Sequence, residues 1–153
     1  MSLVTASIHI DAPPQVVWET VMDPEQLSKW VTIHRRLVHS QGGTPRVGYT
    51  MDQQIHLRGV TLEVHWELVR CSPCQRAVWE GRGPARSRAQ TEYVLSANGE
   101  GTDFDYRNEF RAPLGPIGAI ASRALVGGVP LREANRSLQR LRAHIERRPL
   151  SDD

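Results

Sequence analysis

Residues 8–30, IHIDAPPQVVWETVMDPEQLSKW, decide the fold of this chain. Up to Ile10 apolar and polar residues alternate, which predicts a half-buried strand. Asp11 is predicted to be the N-cap of a helix whose first residue is Pro13 or Pro14, because proline lacks the N–H group that a first helical position leaves unpaired. A short helix is therefore expected directly after the first strand.

The second half of this stretch predicts another short helix. A residue before proline avoids the α-helical region, so the first helix should end near Asp23. Pro24 then begins a second helix, which carries Leu27 and Trp30. One strand followed by two short helices is the expected beginning of the fold.

The central part of the chain has the pattern of an antiparallel sheet. Apolar and polar residues alternate cleanly over 60–68 and 103–110, so one face of each strand should meet a core and the other water. Turn-forming glycine, proline and asparagine separate the segments. The predicted strands are 32–39, 47–57, 60–70, 75–81, 86–96 and 102–111.

After Pro113 the period of the apolar residues becomes helical, which predicts a long C-terminal helix. Gly127-Gly128 and Pro130 predict a break or kink in this helix. A gate for ligand entry would need the same residues, so both interpretations stay open. The apolar stripe consists of Ile117, Ile120, Ala121, Ala124, Leu131, Ala134, Leu138, Leu141 and Ile145.

These elements predict an α+β fold in which a curved antiparallel sheet of six or seven strands wraps around the C-terminal helix. Only that helix is long enough to cover the apolar face of the sheet. The chain of 153 residues is expected to form one domain over residues 1–148, with residues 149–153 as a frayed tail. A curved sheet around one helix should leave space that side chains do not fill, and that space is the expected ligand site.

Charge and composition argue against several classes of partner. A formal net charge of +2 is small, and the 18 arginines are scattered, so nucleic-acid binding is not expected. No run approaches the roughly 20 apolar residues that span a bilayer, so no stable membrane insertion and a cytoplasmic location are expected. The oligomeric state stays open.

Cysteine and histidine spacing argues against a metal or redox site. Cys71 and Cys74 have the spacing of a redox motif or half a zinc site, but they fall in a predicted strand-to-strand turn without a second pair of ligands. The six histidines are dispersed, and none stands with a serine or cysteine at positions that suggest a hydrolytic triad. We therefore expect no metal ion and no cofactor.

The arrangement resembles the helix-grip superfamily of pollen-allergen proteins and START lipid-transfer domains, and within it the bacterial polyketide cyclase/dehydrase and lipid-transport (SRPBCC) branch. The first matching segment is Ile8-x-Ile10-Asp11-Ala12-Pro13-x-x-Val16-x-Trp18, followed by Asp23-Pro24-Glu25-x-Leu27-x-x-Trp30. The second runs from Gly101-Thr102 through Tyr106-x-Asn108-Glu109-Phe110 to Pro113-Leu114-Gly115-Pro116. The resemblance implies the fold over about residues 3–147 but no particular reaction, since carriers, cyclases and stress proteins share it.

Tyr106 and Asn108 are the candidate polar groups of the ligand site. They share the inward face of one predicted strand, so their polar ends should enter the cavity. A buried amide left unpaired costs about 1–3 kcal/mol, so Asn108 must bond either to the protein, for example to Tyr93, or to a ligand. The residues expected to line the cavity are Tyr49, Trp66, Trp79, Tyr93, Phe104, Tyr106, Asn108, Phe110, Ile117, Ala121 and Ala124.

The leading hypothesis is a non-catalytic carrier or sensor of a small hydrophobic or aromatic molecule, such as a lipid or a polyketide-like compound. The first alternative is a polyketide aromatase/cyclase in which Tyr106 acts as general acid and Asn108 holds an enolate oxygen. The second is a protein-interaction module similar to a chaperone co-factor, which would expose an apolar patch of more than a few hundred Å².

Overall fold

The computed structural model describes residues 2–111 and 129–147 of the chain. The strands are β1 (Ser2–Ile10), β2 (His34–Ser40), β3 (Thr50–Leu57), β4 (Val60–Ser72), β5 (Arg76–Arg82), β6 (Arg88–Asn98) and β7 (Gly101–Arg111). The helices are α1 (Pro14–Val21), α2 (Leu27–Trp30) and α3 (Val129–Glu146), and 3₁₀ turns occupy Pro24–Gln26 and Pro84–Arg86.

The seven strands form one antiparallel sheet in the order β1-β7-β6-β5-β4-β3-β2. Strands β2 to β7 form a meander in which each strand pairs with the next, and β1 pairs with β7. Shifts of register between β2 and β3 and between β4 and β5 mark bulges, which bend a sheet. The curved sheet surrounds α3, which packs against β1 and α2. The predicted α+β helix-grip architecture is confirmed.

The N-terminal segment folds as predicted except at its cap. Helix α1 begins at Pro14, and its N-cap is Pro13, which has extended dihedral angles and no capping side chain. The prediction that Asp11 caps this helix is wrong, because Asp11 lies two residues too early. Its backbone N–H instead donates to the carboxylate of Glu146, 2.9 Å away on α3. Asp23 does cap the next turn, where its side chain accepts a hydrogen bond from a backbone N–H.

The core joins the two short helices to the sheet. Trp30 at the end of α2 is 2% exposed, and its ring stands edge-on to Tyr93 and Phe104 at centroid distances of 6.0 and 6.4 Å. Such edge-to-face contacts add to the large apolar area that each ring buries. Because these aromatic residues come from α2, β6 and β7, they fix the short helices over the concave face of the sheet.

The apolar stripe of the C-terminal helix is buried only in part. Leu138, Leu141 and Ile145 are at most 4% exposed, as predicted, but Leu131 is 46% exposed. Periodicity shows which face a residue occupies, not how far along the helix that face is covered. No helix in the described ranges is long and apolar enough to cross a bilayer. Ala134 of the stripe is half-buried against the core. Four stripe residues (Ile117, Ile120, Ala121, Ala124), the Gly127-Gly128 break and the tail fall outside the described residues.

Two leucines of α3 provide a matched test of this burial. Leu141 has no exposed surface, so Leu141→Ala should lower the free energy of unfolding by about 2–5 kcal/mol. Leu131→Ala removes the same atoms from an exposed position and should change it by less than about 0.5 kcal/mol. Denaturant unfolding followed by circular dichroism measures both, and equal losses would contradict the described packing of α3.

Candidate functional site

A cavity of about 140 Å³ lies between the concave face of the sheet, α2 and α3. Aliphatic and aromatic side chains form most of its wall, with a few polar groups among them. The volume is close to the roughly 150 Å³ of an apolar protein cavity that binds benzene. The space is therefore suited to a compact apolar molecule.

Six of the residues predicted to line a cavity lie on this wall: Trp66, Trp79, Tyr93, Tyr106, Asn108 and Phe110. Tyr49 and Phe104 do not. Both point inward as strand alternation predicts, but neighbouring rings cover them, since Tyr49 packs edge-on against Trp79 at 6.1 Å and Phe104 packs against Trp30. Ile117, Ala121 and Ala124 lie outside the described residues.

The structure also adds wall residues that the sequence analysis did not select. Trp30 belongs to α2, while Glu133 and Ser137 belong to α3, and no periodicity shows that these helices meet over one space. Gln53 and Thr91 lie on strands. Thr91 shares the inward parity of Tyr93 on β6, so strand alternation could have identified it.

The first polar group on the wall is a chain of hydrogen bonds that links side chains of β4, β3 and β2. Trp66 donates from Nε1 to Gln53 Oε1 over 2.9 Å, and Gln53 Nε2 lies 2.8 Å from His34 Nδ1. An indole nitrogen can only donate, so the amide must present its oxygen to Trp66 and its NH₂ to His34. His34 must therefore be neutral, because its Nδ1 accepts this hydrogen bond. Burial also lowers the pKa of His34, which favours the same neutral form. Both ends of the amide are engaged inside the protein.

The position of the Trp66 ring depends on a glycine in the neighbouring strand. Gly81 is its cross-strand partner on β5, and a Cβ atom there would lie 2.8 Å from the indole ring. That separation is shorter than carbon atoms tolerate. Glycine at this position therefore lets the Trp66 ring lie against the sheet and form part of the wall.

The second polar group joins α3 to the segment between α2 and β2. The Thr32 backbone N–H donates to Ser137 Oγ over 3.0 Å, and the Thr32 hydroxyl donates to the Glu133 carboxylate. The other carboxylate oxygen accepts from Arg136 at 3.4 Å. Each oxygen of Glu133 thus has a partner within the protein, and this group fastens the helix over the cavity.

The third polar group lies on β6 and β7, and some of its hydrogen-bond donors have no acceptor within the described residues. Thr91 pairs with Asn108 and Tyr93 with Tyr106 across the two strands. The Thr91 hydroxyl donates to Asn108 Oδ1 over 3.0 Å, so the protein partner of the amide is Thr91 rather than Tyr93. No oxygen of residues 2–111 and 129–147 accepts from Asn108 Nδ2 or from the Tyr93 hydroxyl. Hydrogen-bond donors therefore remain available at this part of the wall.

Burial controls the ionisation of the two phenols in this group. It raises the pKa of Tyr106 to about 12, although the nearby Thr91 hydroxyl acts in the opposite direction. Burial also raises the pKa of Tyr93, and the proximity of Tyr106 adds to that rise. Both phenols therefore keep their protons at neutral pH. They are suited to hydrogen bonding with a neutral ligand and are weak acids for proton transfer.

No metal centre is formed within the described ranges, where no three His, Cys, Asp or Glu side chains are placed to hold an ion. Cys71 and Cys74 are free thiols, half-buried at the β4–β5 turn. Burial raises the pKa of the Cys71 thiol, which lowers the fraction of reactive thiolate. The described part of the cavity wall carries one carboxylate, Glu133, among otherwise uncharged side chains.

Comparisons with known proteins bear on the family and the fold of the chain. The sequence model of the family described as polyketide cyclase / dehydrase and lipid transport matches residues 1–146. The uncharacterized protein Rv1546 of Mycobacterium tuberculosis is 24% identical over 131 residues, which are 84% of this chain and 92% of that protein.

Solved structures share the fold at low sequence identity. TTHA0849 from Thermus thermophilus superposes with a TM-score of 0.76 at 18% identity, over 94% of this chain and 97% of that one. CV1439 from Chromobacterium violaceum gives 0.67 at 20% identity, over 96% and 99%. DynU16, a protein of the dynemicin biosynthetic locus, gives 0.62 at 17% identity, and this chain covers 48% of its length.

The ionisation of Tyr106 predicts how stability depends on alkaline pH. An unfolded tyrosine loses its proton near pH 10, whereas folded Tyr106 keeps it up to about pH 12. Between these values unfolding releases a proton, so the free energy of unfolding should be complete below about pH 10 and fall toward about pH 12. Tyr106→Phe should make this fall shallower by up to about 1.4 kcal/mol per pH unit.

Denaturant unfolding at several pH values from about 9 to 12 measures this slope. Cys71, whose pKa is raised by burial, is present in both proteins and contributes equally to the two slopes. Tyr93 is present in both proteins and should preserve part of the slope. An identical slope in the variant would show that Tyr106 is not held in its protonated form by burial.

Proposed function

The chain belongs to the polyketide cyclase/dehydrase and lipid transport family, and from this membership we propose that it binds a small hydrophobic or aromatic molecule in the cavity between its sheet and α3. The observation that carries the proposal is an apolar cavity of about 140 Å³ with one open polar group on its wall. Pockets of this kind, mostly apolar with few placed polar groups, are typical of small-molecule sites.

The size of the cavity supports a compact ligand. Sites for drug-sized molecules enclose roughly 300–1,000 Å³, several times more than this cavity. A volume of about 140 Å³ suits one ring or two fused rings and is small for an extended acyl chain. Within the ligand classes expected for the family, we therefore favour an aromatic, polyketide-like molecule over a long-chain lipid.

The state of Tyr106 supports a carrier or sensor rather than a cyclase. A general acid works best when its pKa lies near the working pH. The pKa of Tyr106 is about 12, so its phenol gives up a proton poorly at neutral pH. Tyr106 and Asn108 are then groups that orient the polar end of a ligand, and no other described residue of the wall forms an acid–base pair with them.

Ligand binding can be tested with compact and extended probes. Native mass spectrometry and thermal unfolding with naphthalene, indane and hexadecanoate should show binding of the ring compounds and little of the fatty acid. A ligand at 100 times its dissociation constant stabilises the fold by about 2.7 kcal/mol. For a chain of this size that corresponds to a rise in Tm of about 5–10 °C.

Filling the cavity provides the matched control. Ala89 on β6 lies on the wall, so Ala89→Leu should place its side chain in the ligand space and abolish the rise in Tm. Ala97 is an exposed residue of the same strand, and Ala97→Leu should leave binding unchanged. If no probe bound to the unmodified protein, or if both variants bound alike, the cavity would not be a ligand site.

A further inference from the structure

On the cavity wall, some hydrogen-bond donors lack a protein partner, whereas the acceptors named above have one. The Gln53 carbonyl is engaged by Trp66, and the Glu133 carboxylate is engaged by Thr32 and Arg136. What remains open is the NH₂ of Asn108 and the hydroxyl of Tyr93. Trp30 Nε1 also lacks a partner within the described residues, but this atom is fully buried and is not exposed to the cavity. The Gln53 and Glu133 oxygens thus face donors of the protein, whereas the Asn108 NH₂ faces no acceptor within the described residues.

Among these groups, only the Asn108 amide can select between ligands by polarity. A phenol hydroxyl can rotate and act either as donor or as acceptor, so the tyrosines accept both kinds of ligand. A primary amide is different, because its oxygen only accepts and its NH₂ only donates. The choice between them depends on which way the amide is turned.

Thr91 determines that orientation. Its side chain is buried, with 7% of the residue exposed, and its hydroxyl has a single proton, which it donates to Asn108 Oδ1 over 3.0 Å. If the amide turned over, its NH₂ would donate to Thr91 Oγ, and the hydroxyl proton would have to leave Asn108 for the nearby Tyr106 oxygen. The bond therefore directs the oxygen toward β6 and leaves the NH₂ for the cavity.

We propose that Thr91 is the positioning residue that makes this cavity selective for a ligand with a hydrogen-bond acceptor, such as the carbonyl oxygen of a cyclic ketone. The inference rests on the proposed function and adds to it the chemical class of the ligand's polar end. A ligand that carries only a donor would meet the unpaired NH₂ group, and one with no polar atom would leave that group without a partner.

Three bicyclic probes of similar shape separate these cases. 1-Indanone carries only an acceptor, indole carries only an N–H donor, and indane carries neither. In isothermal titration calorimetry, the unmodified protein should bind 1-indanone about tenfold more tightly than either of the others, since each unpaired buried polar group is unfavourable.

Threonine variants test the role of the single hydroxyl. Thr91→Val keeps the shape of the side chain but frees the amide, so indole should bind more tightly and the ratio of indanone to indole affinity should fall to about one. Thr91→Ser keeps the hydroxyl and should restore the preference. Thr20→Val is the matched control, since Thr20 is buried and its hydroxyl bonds to Val16 on α1, off the cavity wall; it should leave the ratio unchanged.

The outcomes distinguish the two proposals. Binding of all three probes without preference, or a preference that survives Thr91→Val, would overturn the role of Thr91 while the cavity remained a ligand site. Binding of none of them would overturn the proposed function and this inference with it. If Thr91→Val unfolds the protein, Asn108→Leu should likewise remove the preference for 1-indanone, and a retained preference would also overturn the proposal.

Discussion

An apolar concave sheet that must be shielded from water is the constraint on which this structure depends. Seven antiparallel strands present large aromatic and aliphatic side chains to the inside of the curve, and one long helix with two short ones provides the described cover. Helices are cylinders, so they cannot follow a curved surface everywhere. The cavity is what remains between these shapes, which is why wall residues come from strands on one side and from α2 and α3 on the other.

The polar groups on the wall are of two kinds: those that bond fully to other protein groups, and one that keeps a donor without a protein partner. Gln53 bonds to Trp66 and so fixes its ring. Thr32 bonds to α3 and so fixes that helix over the cavity. Both groups therefore stabilise the fold. Buried polar groups are costly unless paired, and most buried groups in proteins are paired. The Asn108 amide is only partly buried, so its NH₂ stays open to the cavity, and this open donor is the feature most suited to a ligand.

The same desolvation also limits the chemistry available in the cavity. Burial disfavours the charged form of each phenol, which raises the pKa of Tyr106 to about 12 and raises the pKa of Tyr93 as well. Two neutral phenols can hold and orient a ligand but transfer protons poorly at neutral pH. Family membership allows both carriers and cyclases, and it is the ionisation of these side chains that favours a carrier.

Local pattern was sufficient to predict the elements of this protein. Alternation over 60–68 and 103–110 predicted strand faces, and the proline positions in residues 8–30 predicted two short helices, because these signals depend on neighbours along the chain. The inward direction of Tyr106 and Asn108 followed from the same alternation. The cap at Asp11 was predicted wrongly, and the apolar stripe did not reveal that Leu131 is exposed, since both depend on where an element meets the rest of the fold.

The sequence by itself thus determined which residues form strands and helices and which faces are apolar, because a strand or helix repeats its geometry every few residues. Tertiary structure alone decided that Tyr49 and Phe104 are covered by other rings, that Glu133 and Ser137 meet Thr32, and that Asn108 bonds to Thr91. These contacts join residues distant in the chain, and their existence depends on sheet curvature and strand register, which no local spacing specifies.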